Sequence, residues 1–379
     1  MNYSKQQSRV LILICCLIIV IYITVHNSSI KILNSADKDR LFHEYKSLID
    51  SEISISTSTS LLPEATKNPS HFLGEIKEIA YFETSEFKGI PEHIDEINLE
   101  EPELPKLPKV QLSPLKFRIY SHNIKNGGNH ELVVGEDEWR IRMIPLVNSI
   151  KFHLKQNTII TLQEVYYNQL IDIMKLLGDE FDWYGHGRIS EDIGELVPII
   201  YKKSEWEPVY KDSFWLNEKD QRKNLQGWDA LYLRIVSYIT LKHIGTSNYI
   251  NIFNTHWDHI GIESKLGSAN LILEKISKFK WPSFLTGDLN TEREEEPYKL
   301  LKTVLVDTAT TKNRYGHSKS TVTGFEGEVL LAGQNIDYIF APKEVHIEMF
   351  GLLHSKFNGK YFSDHRPLVS DFNIQIGGL

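Results

Sequence analysis

The chain has 379 residues, 41% hydrophobic and 24% charged, with a formal net charge of −8. That balance allows a substantial core and excludes disorder throughout. Residues 1–115 carry 11 Lys+Arg against 16 Asp+Glu, and residues 116–379 carry 31 against 34, so the basic excess expected of a protein that grips long nucleic acids is missing.

Residues 1–9 form a short tail with Lys5 and Arg9 and no acid. Residues 10–25, VLILICCLIIVIYITV, are an unbroken apolar run with no amphipathic face, which argues against a core helix. The run ends without the small residues that signal cleavage needs, so a retained transmembrane signal anchor is expected. Its sixteen residues suit a thin bilayer such as that of the ER or Golgi. Basic residues stand on both sides, with Lys31, Lys38 and Arg40 after the run, and the orientation expected is a lumenal C-terminal domain. Both cysteines, Cys15 and Cys16, lie inside the run, which leaves the rest of the chain without a disulfide, a thiolate nucleophile or a Cys-based zinc site.

Residues 26–115 read as a partly disordered stem. Segment 51–60, SEISISTSTS, is low in complexity, and 91–114 sets Pro91, Pro102, Pro105, Pro108 and Pro114 among acids. Leu41, Tyr45, Leu48 and Ile49 allow a helix near 36–50.

From 116 onward strands and helices alternate. Strands are expected at 117–124, 158–165, 197–203, 231–243 and 249–256, the third and fourth with period-two alternation. Helices are expected at 138–154 and 263–279, the second presenting Leu266, Ala269, Leu273 and Ile276 on one face. The runs FLTGD, IDYIF and PLVSDF complete a layered α/β domain over 116–379.

Six of these apolar runs end in, or border, polar motifs: SHNIKNGG, LQEV, FNTHWDH, LTGDLN, NIDYIF and FSDHRP. Buried strands that end in Asp, Asn, Glu or His deliver those groups to a sheet edge. Carboxylates suit a hard divalent cation, and imidazoles suit phosphate oxygens. Glu164 is the leading metal candidate. Asn123 offers an amide oxygen to the same cation or a donor to a phosphate. Gly287 is expected to turn the backbone so that Asp288 and Asn290 face one pocket. Asp337 and His365 read as an acid–imidazole pair.

The order N…QE…TH…GDLN…IDYIF…SDHRP over about 117–373 resembles the endonuclease/exonuclease/phosphatase superfamily, and most closely its subgroup with GWDA (227–230) and THxDH (255–259) segments. The resemblance implies a DNase-I-like β-sandwich flanked by helices and a Mg²⁺ (or Mn²⁺) cofactor. It implies that Asp288 orients or deprotonates the attacking water and that Asn290 fixes the scissile phosphate. His256 would face the phosphate as an acid for the leaving oxygen, oriented by Glu195, and Asp364 would be a second carboxylate beside the metal. Arg188 could contact substrate phosphate or form a structural ion pair. Asp229, Asp258 and His259 are candidates for lining the pocket, and Trp228 for its wall or the core. Trp257, Leu233 and His122 depart from the usual pattern without removing a catalytic group.

The function expected is a membrane-anchored, metal-dependent phosphoesterase that attacks a small or lipid-linked phosphodiester or phosphomonoester with in-line water. A nuclease is the alternative, and a non-catalytic phosphate-ester-binding domain is the alternative from another class.

Overall fold

The computed structural model describes residues 113–128, 130–316, 320–325 and 334–374. The apolar run at 10–25 and nearly all of the stem lie outside them, and no helix among the described residues is long and apolar enough to cross a membrane.

Two sheets carry the architecture. The first has seven strands in the order β10 (Arg314–Gly316), β12 (His346–Leu352), β15 (Leu368–Ile374), β1 (Leu115–Asn123), β2 (Thr158–Gln163), β4 (Ile199–Lys202) and β3 (Phe181–Tyr184). The second has six, β5 (Trp206–Trp215), β6 (Ile235–His243), β7 (Tyr249–His256), β8 (Ser283–Asp288), β11 (Asp337–Pro342) and β9 (Leu305–Asp307). A short hairpin, β13 (Lys356–Phe357) and β14 (Lys360–Tyr361), stands apart from both. Helices α1 (Trp139–His153) and α2 (Tyr167–Leu177) pack on the outer face of the first sheet, and α3 (Ile262–Ser277) and α4 (Glu296–Val304) on that of the second.

Strand alternation sorts the side chains into three apolar layers. Phe117 and Ile119 of β1, Ile159 of β2, Ile250 and Ile252 of β7, Phe284 of β8 and Ile339 of β11 fill the space between the sheets. Tyr120, Ile160 and Leu162 face α1 and α2, whereas Phe253, Leu285, Tyr338 and Phe340 face α3 and α4.

Both long helices form where the sequence places them, but the buried face of α3 is set differently. Ser264, Ser268, Ala269, Ile272 and Ile276 are buried there, and Leu266 is exposed. The sheet surface is already crowded with aromatic rings, and small serines let the helix approach it closely. The alternation expected over 231–243 is also absent: β6 is buried on both faces, between the inter-sheet core and the α3 layer.

On the inter-sheet face, each central strand changes from apolar to polar toward one end. β1 reads Phe117, Ile119, Ser121, Asn123; β7 reads Ile250, Ile252, Asn254, His256; β8 reads Phe284, Thr286, Asp288. The pairing is parallel between β1 and β2 and between β7 and β8, so those ends coincide, with His256 opposite Asp288. β11 runs antiparallel to β8 and begins with Asp337 opposite Asp288. A buried polar bridge closes the sandwich below the site: Gln163 Nε2 donates to Asn254 Oδ1 at 2.7 Å, and Asn254 Nδ2 donates to the carbonyls of Leu162 and Pro198 at 2.8 and 2.9 Å.

Candidate active site

Asn123, Glu164, Glu195, His256, Asp288, Asn290, Asp337 and His365 meet at this polar end. Asn123 Nδ2 donates to both Glu164 Oε1 and Asp288 Oδ2 at 2.9 Å, and its Oδ1 accepts the Lys125 N–H at 3.0 Å. Asp288 Oδ2 also lies 3.7 Å from His256 Nε2 and 3.7 Å from His365 Nε2. One carboxylate oxygen thus stands between two imidazoles.

His365 Nδ1 donates to Asp337 Oδ2 at 2.8 Å. Burial alone would lower the His365 pKa, but Asp337 and then Asp288 raise it well above the ordinary histidine range, and the ring is held as a cation. His256 has a different environment. Its Nε2 accepts from Asn290 Nδ2 at 3.1 Å, and its Nδ1 faces Glu195 Oε2 at 3.6 Å, longer than a hydrogen bond. Burial pushes the Glu195 carboxyl up, but Arg188 and His256 outweigh it and hold the pKa down at about 2.

Three of the residues that shape the site have left-handed backbones: Lys125 (φ 55°), Glu164 (φ 57°) and Asn290 (φ 45°). Non-glycine residues adopt this conformation at a cost and keep it only where the surroundings enforce it. At Glu164 it ends β2 two residues earlier than the sequence suggests and turns the carboxylate inward. It also corrects the reading of Gly287. That glycine lies inside β8, where a Cβ would come 2.0 Å from the Thr255 carbonyl, and the turn falls at Asn290 instead.

Glu164, Asp288 and His365 each present one atom, all within 4.8 Å of one another. This carboxylate-rich set fits a hard divalent cation. Burial opposes ionisation of Glu164, yet the Lys125 ammonium, His256 and the Asn123 amide together hold its pKa well below the usual range. Because His365 is charged, Glu164 is the better-suited ligand, with Asp364 near enough for their charges to repel.

The sequence reading missed Asn126, Lys125, Arg142 and Arg234. Asn126 Nδ2 donates to Glu164 Oε2 at 3.2 Å and to Glu195 Oε1 at 3.1 Å, tying the two halves of the site together. Arg142, buried on α1, donates to the carbonyls of Ile124, Lys125, Asn126, Asp137 and Phe362, which fastens the loop after β1 to the segment leading into Asp364. The only local signal was an arginine inside an otherwise helical stretch.

Arg188 is buried, with Nη1 3.6 Å from Glu195 Oε2 and its guanidinium 4.7 Å from the centre of the Tyr232 ring. Arg234 lies 3.9 Å from the same oxygen. Asp258 is fully buried and accepts the backbone N–H groups of Leu231, Tyr232, Ile260 and Gly261, so its carboxylate pins two loops. Asp229 accepts the N–H groups of Glu263 and Ser264 and caps α3 rather than facing the cluster. Trp228 packs over Gly267 of α3, where any Cβ would overlap its ring. His259 is exposed and stacks on Tyr232, with centroids 5.8 Å apart.

Two facing sheets whose strand ends assemble carboxylates, imidazoles and amides define an α/β protein with one polar site at the end of its sandwich. An endonuclease/exonuclease/phosphatase family protein of Bacteroides thetaiotaomicron is 27% identical, covers 70% of this chain and 98% of its own, and superposes with a TM-score of 0.65. A mannosyl-6-phosphatase of the same bacterium is 27% identical over 68% of this chain and 99% of its own, with a TM-score of 0.62. In sequence and fold the chain is thus similar to proteins of the endonuclease/exonuclease/phosphatase family. A probable RNA exonuclease of Saccharomyces cerevisiae is 29% identical over 42% of this chain, and the match spans 34% of that relative's length. No protein-family model matches the chain.

Proposed function

We propose that the protein is a divalent-metal-dependent phosphoesterase that hydrolyses a small or lipid-linked phosphate ester by in-line attack of water. The observation that carries this reading is the position of Asp288 Oδ2, 3.7 Å from each of two imidazole nitrogens and bonded to Asn123. Asp288 takes the proton of the attacking water. His365, positive through its pairing with Asp337, and the Asn290 amide stabilise charge on the phosphoryl oxygens. His256, protonated at Nε2 once the Asn290 amide turns from it to the phosphate, delivers that proton to the leaving oxygen, with its Nδ1 facing the Glu195 carboxylate. Glu164, flanked by Asn123 and Asp364, would hold Mg²⁺ or Mn²⁺. When bound, such a cation supplies Lewis-acid polarisation of the phosphoryl group and neutralises developing charge.

The near-neutral charge of 116–379 and the likeness to a sugar phosphatase favour small esters. The apolar run at 10–25 supports a single-pass anchor in a secretory-pathway membrane, with this domain in the lumen. The test is hydrolysis by the full-length chain of bis-(p-nitrophenyl) phosphate, p-nitrophenyl phosphate, mannose 6-phosphate and single-stranded RNA, with Mg²⁺ or Mn²⁺ and with a chelator. Metal-dependent turnover of one ester class, lost in His365→Ala, supports the reading. A folded, Mn²⁺-loaded protein inert on every ester, lipid phosphodiesters included, would leave a binding domain. The likeness to a probable RNA exonuclease keeps nuclease activity as the second reading. RNA cleavage that collapses steeply with added salt would establish it.

A further inference from the structure

Lys125 has no role in the chemistry above, yet the fold constrains it heavily. Its backbone is left-handed at φ 55°. Its N–H donates to Asn123 Oδ1, and its carbonyl accepts both Arg142 Nη2 at 3.1 Å and Gln169 Nε2 at 3.2 Å. A local turn onto Asn123 and two anchors from more distant parts of the chain thus hold one conformation that lysine disfavours. The result is an ammonium, only 14% exposed, delivered 4.0 Å from Asp364 Oδ2. Asp364 Oδ1 faces the Ser363 hydroxyl at 3.4 Å. Burial raises the Asp364 pKa above the usual carboxylate range, and the Lys125 ammonium is the strongest influence opposing that rise. At Glu164, where burial also opposes ionisation, the same ammonium is the strongest of the groups that hold the pKa down.

A site that gathers several carboxylates can hold one divalent ion or two. Two-ion phosphoesterase centres place their cations about 3.5–4 Å apart, each on its own carboxylate. Here Glu164 and Asp364 could supply two such carboxylates, but the second already faces a fixed positive charge. We propose that the Lys125 ammonium is a built-in cation that occupies the Asp364 side of the site, so that the centre holds one divalent ion and excludes a second. This rests on the metal reading above. A second divalent ion would have to displace a partly desolvated ammonium whose backbone is fastened at three points, against direct charge repulsion. The strained backbone is then explained: it keeps the stem short of solvent and aimed at Asp364.

The test counts Mn²⁺ on the full-length chain by calorimetric titration and by electron paramagnetic resonance, where two neighbouring Mn²⁺ ions broaden one another's spectrum. Wild-type protein should bind one ion with an unbroadened spectrum. Lys125→Met, which keeps the stem length and removes the charge, should bind two and show the broadening. Lys125→Arg should return to one, and Lys125→Met with Asp364→Asn should lose the added ion. Two ions on the wild-type protein would overturn the proposal even if Lys125→Met failed to fold. So would a folded Lys125→Met that still binds one. Failure of the wild-type protein to bind any ion would remove the metal reading itself, an outcome distinct from a count of two.

Discussion

Asp288 makes the contacts on which the site depends, because its Oδ2 is shared among an amide and two imidazoles. Asp288→Asn keeps the shape and removes the proton acceptor, so kcat should fall roughly 10²–10⁴-fold while KM and the melting temperature move little. Steady-state kinetics with a thermal melt checks this. His122 makes a prediction about stability rather than turnover. It is fully buried, its Nε2 donates to the His365 carbonyl at 3.2 Å, and its Nδ1 has no hydrogen-bond partner. Burial lowers its pKa from 6.5 to about 3. A histidine whose folded pKa is depressed contributes stability that is complete above the unfolded value and lost as pH falls toward the folded one. Between pH 7 and pH 5 that loss is about 2 kcal/mol. His122→Phe should therefore lose less stability than wild type across that interval in urea titrations, and equal losses would show that the ring is not held neutral.

At the scale of elements, the site follows from strands whose inter-sheet faces run from apolar to polar, brought to one end by parallel pairing. Gly287 makes that pairing possible, since β7 and β8 approach so closely that the Thr255 carbonyl occupies the space a side chain would need. Gly287→Ala should yield little folded protein, as judged by soluble expression and circular dichroism. Asp229 shows a different element-level role, capping α3 from a distant loop. Asp229→Ala should lower stability by about 1 kcal/mol and leave kcat/KM for small esters near wild type. A large loss of kcat/KM without a loss of stability would instead return Asp229 to the substrate pocket expected from the sequence.

For the whole molecule, a cation that binds the folded site and not the unfolded chain must stabilise the fold. Mn²⁺ at a hundred times its dissociation constant should raise stability by about 2.7 kcal/mol. Glu164→Gln should abolish most of that rise in a thermal melt, and an unchanged rise would place the ion elsewhere.

The sequence by itself determined the polar strand ends, and with them Asn123, Glu164, His256, Asp288, Asn290, Asp337 and His365, because each ends or borders an apolar run that has nowhere to go but a sheet. It also determined α1 and most of the central strands through their periodicity. Only the tertiary structure decided which polar groups belong to the cluster and which to the scaffold. Asp229 and Asp258 sit in motifs as suggestive as that of Asp288, but their oxygens hold backbone N–H groups of loops and of a helix terminus. Lys125 and Asn126 lie inside the SHNIKNGG motif and Arg142 in a helix, yet nothing in one dimension sets them apart, since what singles them out is a backbone conformation and partners distant in the chain. Hydrophobic pattern is a local property and survives in one dimension. Hydrogen-bond satisfaction and charge compensation depend on distance, and only folding brings those groups together.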